Sequence, residues 1–293
     1  MLVGFVCAKI GIIDEHTRLS ISDLILCMFF PCSILMSFLD TNLLQLSSLG
    51  VIFLISAFTQ VVCYVLSKFV LYRRAEPEQK KVLSYATIIS NASFLGNPII
   101  ESVYGLGALI YSAVYIVPLR ISLWTLGVAF FSEGKISVKK IVFHPCIIAT
   151  FLGILAMLTN FTPPPLATRL AFSLGNCTTP LSMMVVGSVL GLVKPNQVFN
   201  RLTLYYAFIR LIFIPLLIMG LLALMGLLLV FRPAPIVSAV SIILTATPAP
   251  VTISILTTKY GSDKEFASKI VFVSTLFSIA TMPVFVWLLT FLR

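Results

Sequence analysis

SNASFLGNPII (residues 90–100) decides how this chain is read. It sets two asparagines, two serines, a glycine and a proline into a sequence that is otherwise largely apolar. Of the 293 residues, 59% are hydrophobic and 10% are charged, and the mean hydropathy is +1.08. A soluble domain carries about 25% charged residues, and no soluble fold of this length buries so much apolar surface. Lipid is the solvent that fits, which makes the chain an all-α polytopic membrane protein. A transmembrane barrel would show alternating segments of about ten residues. IVFHPCIIATFLGILAMLT (141–159) is longer and does not alternate.

Apolar runs between polar breaks predict ten transmembrane helices, near 1–13, 20–39, 48–70, 82–104, 106–131, 141–159, 166–192, 199–226, 235–257 and 266–292. The first run, MLVGFVCAKIGII, is short of the ~20 residues a crossing needs. Lys9, Asp14 and Glu15 interrupt it, so no cleavable signal peptide is expected. The net charge of +10 does not mark nucleic acid, because no basic stripe with interleaved aromatics exists. With the first residue outside, fifteen Lys and Arg fall on the inner side and three, Arg169, Arg232 and Arg293, on the outer. That bias places both termini outside a plasma (inner) membrane. The six cysteines have neither CxxC nor Cys/His metal spacing and read as small apolar side chains. No metal or cofactor is expected.

The opening stretch can then be placed in depth. Asn91 follows Lys81 by ten residues, about 15 Å of helix, half of a ~30 Å hydrocarbon core. Pro98 lacks a donor and Gly96 is permissive, so the fourth span is expected to break into halves near 82–91 and 98–104. The ninth span carries a similar centre, TATPAPVTIS (245–254), with Pro248 and Pro250. Aligning Tyr104-Gly105 on Tyr260-Gly261 sets Asn91-Ala92 opposite Thr247-Pro248. The two breaks lie five spans apart, an odd number, which predicts two inverted five-helix repeats with crossed broken helices. The repeats are 1–132 and 141–293, joined by a short cytosolic connector at 133–140. Paired interrupted helices in inverted halves point to a secondary transporter with its site at the midplane.

These motifs resemble the auxin efflux carrier family, whose bacterial members are often labelled malonate or organic-anion permeases. SNASFLGNPII is similar to the family's Asn-x-x-Phe-x-Gly-x-Pro segment in its fourth helix, and ATPAP to the break of its ninth. IRLIFIP, with Arg210 and Pro215, resembles the basic residue and proline of its eighth helix. FFPCSIL (29–35) and FHPCIIA (143–149) resemble its second and sixth. The resemblance implies ten helices in two inverted repeats, a scaffold and a moving transport module, and a homodimer. The chain departs from the family in its first helix, which is about a dozen residues shorter.

An anion is the expected cargo. The second halves of both broken helices start near the midplane with free N–H groups and positive dipole ends. Arg120 and Arg210 add charge at mid-depth, where an ionised residue marks function by default. Asn91, Asn97, Gly96, Pro98, Thr245, Thr247, Pro248, Pro250, Arg120 and Arg210 are therefore the candidate substrate-binding residues. Glu101 is the candidate for proton coupling. Each has a structural alternative. Arg210 can neutralise exposed carbonyls, Arg120 can pair with Glu101, and Ser90 and Ser93 can bond back to their own helix. Obligatory sodium coupling is not expected from one such carboxylate.

The function expected is a carrier that moves a small organic anion, a carboxylate, by alternating access. Its partners are that anion and the lipid bilayer. An anion channel shares the positive midplane but more naturally shows rings of charge. An intramembrane enzyme lacks its usual marks here, since neither HExxH nor GxSxG occurs.

Overall fold

The computed structural model describes residues 2–39, 46–72, 75–123, 125, 128–131, 143, 145–159, 161, 163–192, 198–228, 233–253, 256–257 and 262–290. The connector at 133–140 and the Tyr260-Gly261 pair lie outside these. The described residues are helical, with no strand among them. In chain order the helices are α1 (Leu2–Lys9), α2 (15–39), α3 (46–71), α4 (Pro77–Ile88), α5 (Asn97–Tyr104) and α6 (Leu109–Ser122). They continue with α7 (Pro145–Thr159), α8 (165–192, with a turn at Cys177), α9 (201–228), α10 (Pro235–Thr245) and α11 (Lys264–Thr290). Among the described residues, five stretches are long and apolar enough to cross a membrane: Glu15–Met36, Ser47–Phe69, Pro165–Ser188, Arg201–Met225 and Glu265–Leu289. Leu106–Ser122, Pro145–Ala156 and Pro235–Thr245 are shorter apolar helices.

Prolines shape these helices in a consistent way. Pro31, Pro98 and Pro215 each follow a wide, five-residue turn of π type, at Ile25–Phe29, Ala92–Gly96 and Ile209–Phe213. A proline ring clashes with the carbonyl four residues earlier. In each case that carbonyl belongs to the wide turn, on Cys27, Phe94 and Leu211, where the looser coil relieves the clash. This corrects the expected role of Pro98. It lies inside the coil that runs from 92 to 104, where the wide turn before it takes up the clash. The interruption lies upstream, where Ile89 is extended (φ −96°, ψ 132°) and Asn91 is non-helical (φ −80°, ψ 42°). The chain is then coiled from 92 to 104.

The helices pack as two groups. In one, α1 lies along α8, and α2 lies against both α7 and α8. In the other, α3 packs on α6, α9 on α11, and α10 on α3, α6, α9 and α11. The two groups meet where α8 contacts the 92–96 turn, α5 and α11, and where α2 and α7 contact α6. Although α1 has only eight residues, it is closely seated. A Cβ on Gly4 would strike the backbone carbonyl of Met184, and one on Gly191 would lie 2.7 Å from the Ala8 methyl and 2.8 Å from the Phe5 carbonyl oxygen. Small residues here let two backbones approach, which is how helices gain packing in lipid.

Gly4→Ala therefore forces α1 away from a rigid backbone atom rather than a yielding side chain. We expect amide exchange across residues 2–9 to quicken while exchange in α3 stays at the wild-type rate, as hydrogen–deuterium exchange would read.

Candidate functional site

The two interrupted segments meet in the middle of the second group. The Asn91 N–H donates to the Pro248 carbonyl at 2.9 Å, so one break supplies a backbone partner for the other. Gly96 allows the close approach: a Cβ there would lie 2.6 Å from Leu244 Cδ2 and 3.2 Å from Thr247 Cγ2. Each break frees backbone groups that water cannot reach, and each unsatisfied group costs about 1–3 kcal/mol. Side chains from neighbouring helices bond to several of them. Tyr206 Oη donates to the Ala86 carbonyl at 2.8 Å, and the Ala249 N–H donates to Ser274 Oγ at 3.1 Å.

Arg210 does the largest share. Its Nε donates to the Thr247 carbonyl at 3.0 Å and its Nη1 to the Thr87 carbonyl at 2.9 Å. Both carbonyls sit at the C-terminal ends of first halves, α4 and α10, where the helix dipole is negative. The wide turn at 209–213 carries Arg210, and the side chain is only 2% exposed. Tyrosines complete the frame. Tyr72 Oη meets Thr87 Oγ1 at 2.6 Å, Tyr115 Oη meets Thr245 Oγ1 at 2.8 Å, and Tyr85 Oη meets Thr252 Oγ1 at 3.0 Å.

The start of the second halves is different in kind. A cavity of about 20 Å³ lies there, lined by Ser90, Asn91, Ser93, Arg120, Thr252 and the apolar walls of Phe94, Leu119 and Leu123, with Pro250 and Val251. Arg120 is buried and its Nη2 donates to Ser93 Oγ at 3.1 Å. Its Nε, together with Asn91 Nδ2 and Ser90 Oγ, has no hydrogen-bond partner. The first bonds within the 92–104 coil are Leu95 N–H and Gly96 N–H to the Asn91 carbonyl, at 3.1 and 3.4 Å. The N–H groups of Ala92, Ser93 and Phe94 precede them and have no acceptor within the coil. The site thus gathers N–H and O–H donors and one cation. The ion pairs among the described residues, Lys81–Glu78 and Lys269–Glu265, do not include Arg120. A buried charge without a counter-charge costs several kcal/mol, and a bound carboxylate would offset it.

Of the residues expected from sequence, the structure brings Asn91, Arg120 and Pro250 to this cavity. Arg210, Gly96, Thr245, Thr247 and Pro248 sit in the frame around it. Thr247 Oγ1 bonds back to Leu244, and Thr245 Oγ1 donates to the Ser241 carbonyl, each at 2.7 Å. Asn97 accepts from Ser112 Oγ, and its Nδ2 has no partner. Pro98 is buried beside it. The alternative Arg120–Glu101 ion pair does not form, since Glu101 Oε2 accepts from Thr179 Oγ1 at 2.5 Å instead. Ser93 is not bonded back to its own helix but to Arg120, 27 positions on. Sequence reasoning missed Thr252; its nearness to Pro250 in a polar break was the available signal.

The two arginines should separate by stability. Arg210→Met strands two buried carbonyls and should lower stability by roughly 2–6 kcal/mol. Arg120→Met removes an unpaired charge and an unused donor, so the melting temperature in detergent should hold or rise. Equal losses in both variants would assign both arginines to the frame.

Comparison with known proteins fits this geometry. The family described as membrane transport protein matches residues 1–140 and 130–286 of the chain. An uncharacterized transporter of Methanothermobacter thermautotrophicus is 23% identical over 288 residues, 97% of this chain and 93% of that protein. A protein of Rhizobium meliloti, provisionally named malonate transporter, is 28% identical over 151 residues, 52% of this chain and 45% of the relative. With both halves matched and helices fit to cross a bilayer, the chain belongs to the membrane transport protein family, the auxin efflux carrier family that its broken-helix motifs resemble.

Proposed function

We propose that this membrane transporter is a secondary carrier that moves a small organic anion, a carboxylate, by alternating access, with its binding site at the cavity between the two breaks. One observation carries the reading. Unused donors on Arg120, Asn91 and Ser90 border one buried cavity, beside the free N–H groups that open the 92–104 coil. Such a set suits carboxylate oxygens, which accept and do not donate. Asn91 and Arg120 hold the anion in this account, and Arg210, Thr245, Thr247 and Pro248 hold the frame. The provisional name of the Rhizobium relative supports a small carboxylate as cargo.

The cavity has room for about one water, so a carboxylate enters only when the walls part. That need, and the contact of the 92–96 turn with α8 at the boundary between the groups, favour a carrier that moves one group against the other. A channel would keep the path open. The reading retains two inverted halves, 1–132 and 141–293, both termini outside the plasma (inner) membrane, and a homodimer as the resemblance implies. Glu101 lies away from the cavity at the boundary between the groups, so any proton it carried would act on the motion rather than on the bound acid.

Counterflow in proteoliposomes, run against a panel of mono- and dicarboxylates, tests the reading. Saturable exchange of at least one acid is expected. Arg120→Gln should reduce it about 100-fold and Asn91→Ala about tenfold. Exchange unaffected by either substitution would move the site elsewhere, and conductance without counterflow would make the protein a channel.

A further inference from the structure

The boundary between the two helix groups carries a polar seam that the binding site does not use. On one side, Glu101 projects from α5. On the other, Thr178, Thr179 and Ser182 lie within one stripe of α8, the last two three residues apart, about 4.5 Å along the helix axis. Glu101 Oε2 accepts from Thr179 Oγ1 at 2.5 Å, a charge-assisted distance. The ion pairs among the described residues do not involve Glu101.

The neighbours of Thr179 are orphaned. Thr178 Oγ1 and Ser182 Oγ are buried and bond to no described group, not even to their own helix. Elsewhere hydroxyls of these helices do bond back, as Ser188 Oγ does to the Val185 carbonyl at 2.8 Å and Thr150 Oγ1 to the Cys146 carbonyl at 2.7 Å. A buried hydroxyl that declines its own helix calls for another partner. The acceptor that α5 presents to this stripe is the Glu101 carboxylate, through its bond to Thr179.

We propose that the hydroxyl stripe of α8 is a track with two stops for Glu101. In the arrangement described the carboxylate rests on Thr179. When α5, with the helices α6 and α10 on which it packs, shifts along α8 by about one turn, the carboxylate exchanges that donor for Ser182. Packed helices move between discrete positions rather than continuously, and a polar stop at each position fixes where the shift begins and ends. The inference rests on the carrier reading, because only a transporter that moves has use for two stops.

A double-substitution cycle in the counterflow assay tests it. Ser182→Ala removes one stop and should slow exchange roughly tenfold, the worth of a hydrogen bond to a charged group, with the half-saturating substrate concentration unchanged. Ser182→Thr restores the hydroxyl and should restore the rate. In a Glu101→Ala background, Ser182→Ala should have no further effect, since the two side chains act as a pair. Wild-type exchange in Ser182→Ala, or the same fall with and without the Glu101 carboxylate, would overturn the track while leaving the carrier in place. Absence of exchange of any acid by the wild-type protein would overturn the carrier reading and the track together.

Discussion

One guanidinium holds the centre of this protein. Arg210 donates to the carbonyls of Thr247 and Thr87, one from each interrupted segment. Without it the chain would bury two acceptors at the negative ends of two half-helices, in a medium with no water to satisfy them. Lysine would not substitute: its compact ammonium is a point charge, whereas the planar fork of arginine reaches two carbonyls at fixed separation. The wide turn that carries Arg210 and the tyrosines that bond around it are fitted to the same task. Everything that lies between the breaks inherits its position from this contact.

The polarity of the peptide chain then divides the labour between two arginines. An interrupted helix exposes acceptors where its first half ends and donors where its second half begins. Arg210 meets the acceptors, and Arg120 stands among the donors. The first arrangement is self-satisfied; the second leaves Arg120 Nε, Asn91 Nδ2 and Ser90 Oγ unused. Two buried residues of the same type thus have opposite electrostatic situations, and the difference follows from which end of a broken helix each one faces.

Much of this was legible in the sequence because polar breaks are conspicuous in an apolar chain. Aligning the two breaks by their flanks set Asn91-Ala92 against Thr247-Pro248, and the structure joins Asn91 to Pro248 by a backbone hydrogen bond. The position of the interruption was less legible. A proline signals a lost hydrogen bond but not where the chain absorbs the loss, and the wide turn at 92–96 moved the true break up to 89–91. The role of Arg210 was open for a related reason. Whether a buried arginine faces a cavity or a carbonyl depends on helix rotation, and Pro215 does not by itself say how far the π-type turn before it resets that rotation. Ser93 illustrates a third limit: a hydroxyl that looks ready to bond its own helix is turned outward by a partner 27 positions away.

The tightness of the cavity bears on the membrane as well as on the cargo. A space of about 20 Å³, with Phe94, Leu119 and Leu123 among its walls, holds roughly one water. A hydrated inorganic ion does not fit, and a cation stripped of its water would meet Arg120 and hydrogen-bond donors in place of acceptors. At this site, therefore, the arrangement described offers no aqueous path wide enough for a hydrated ion.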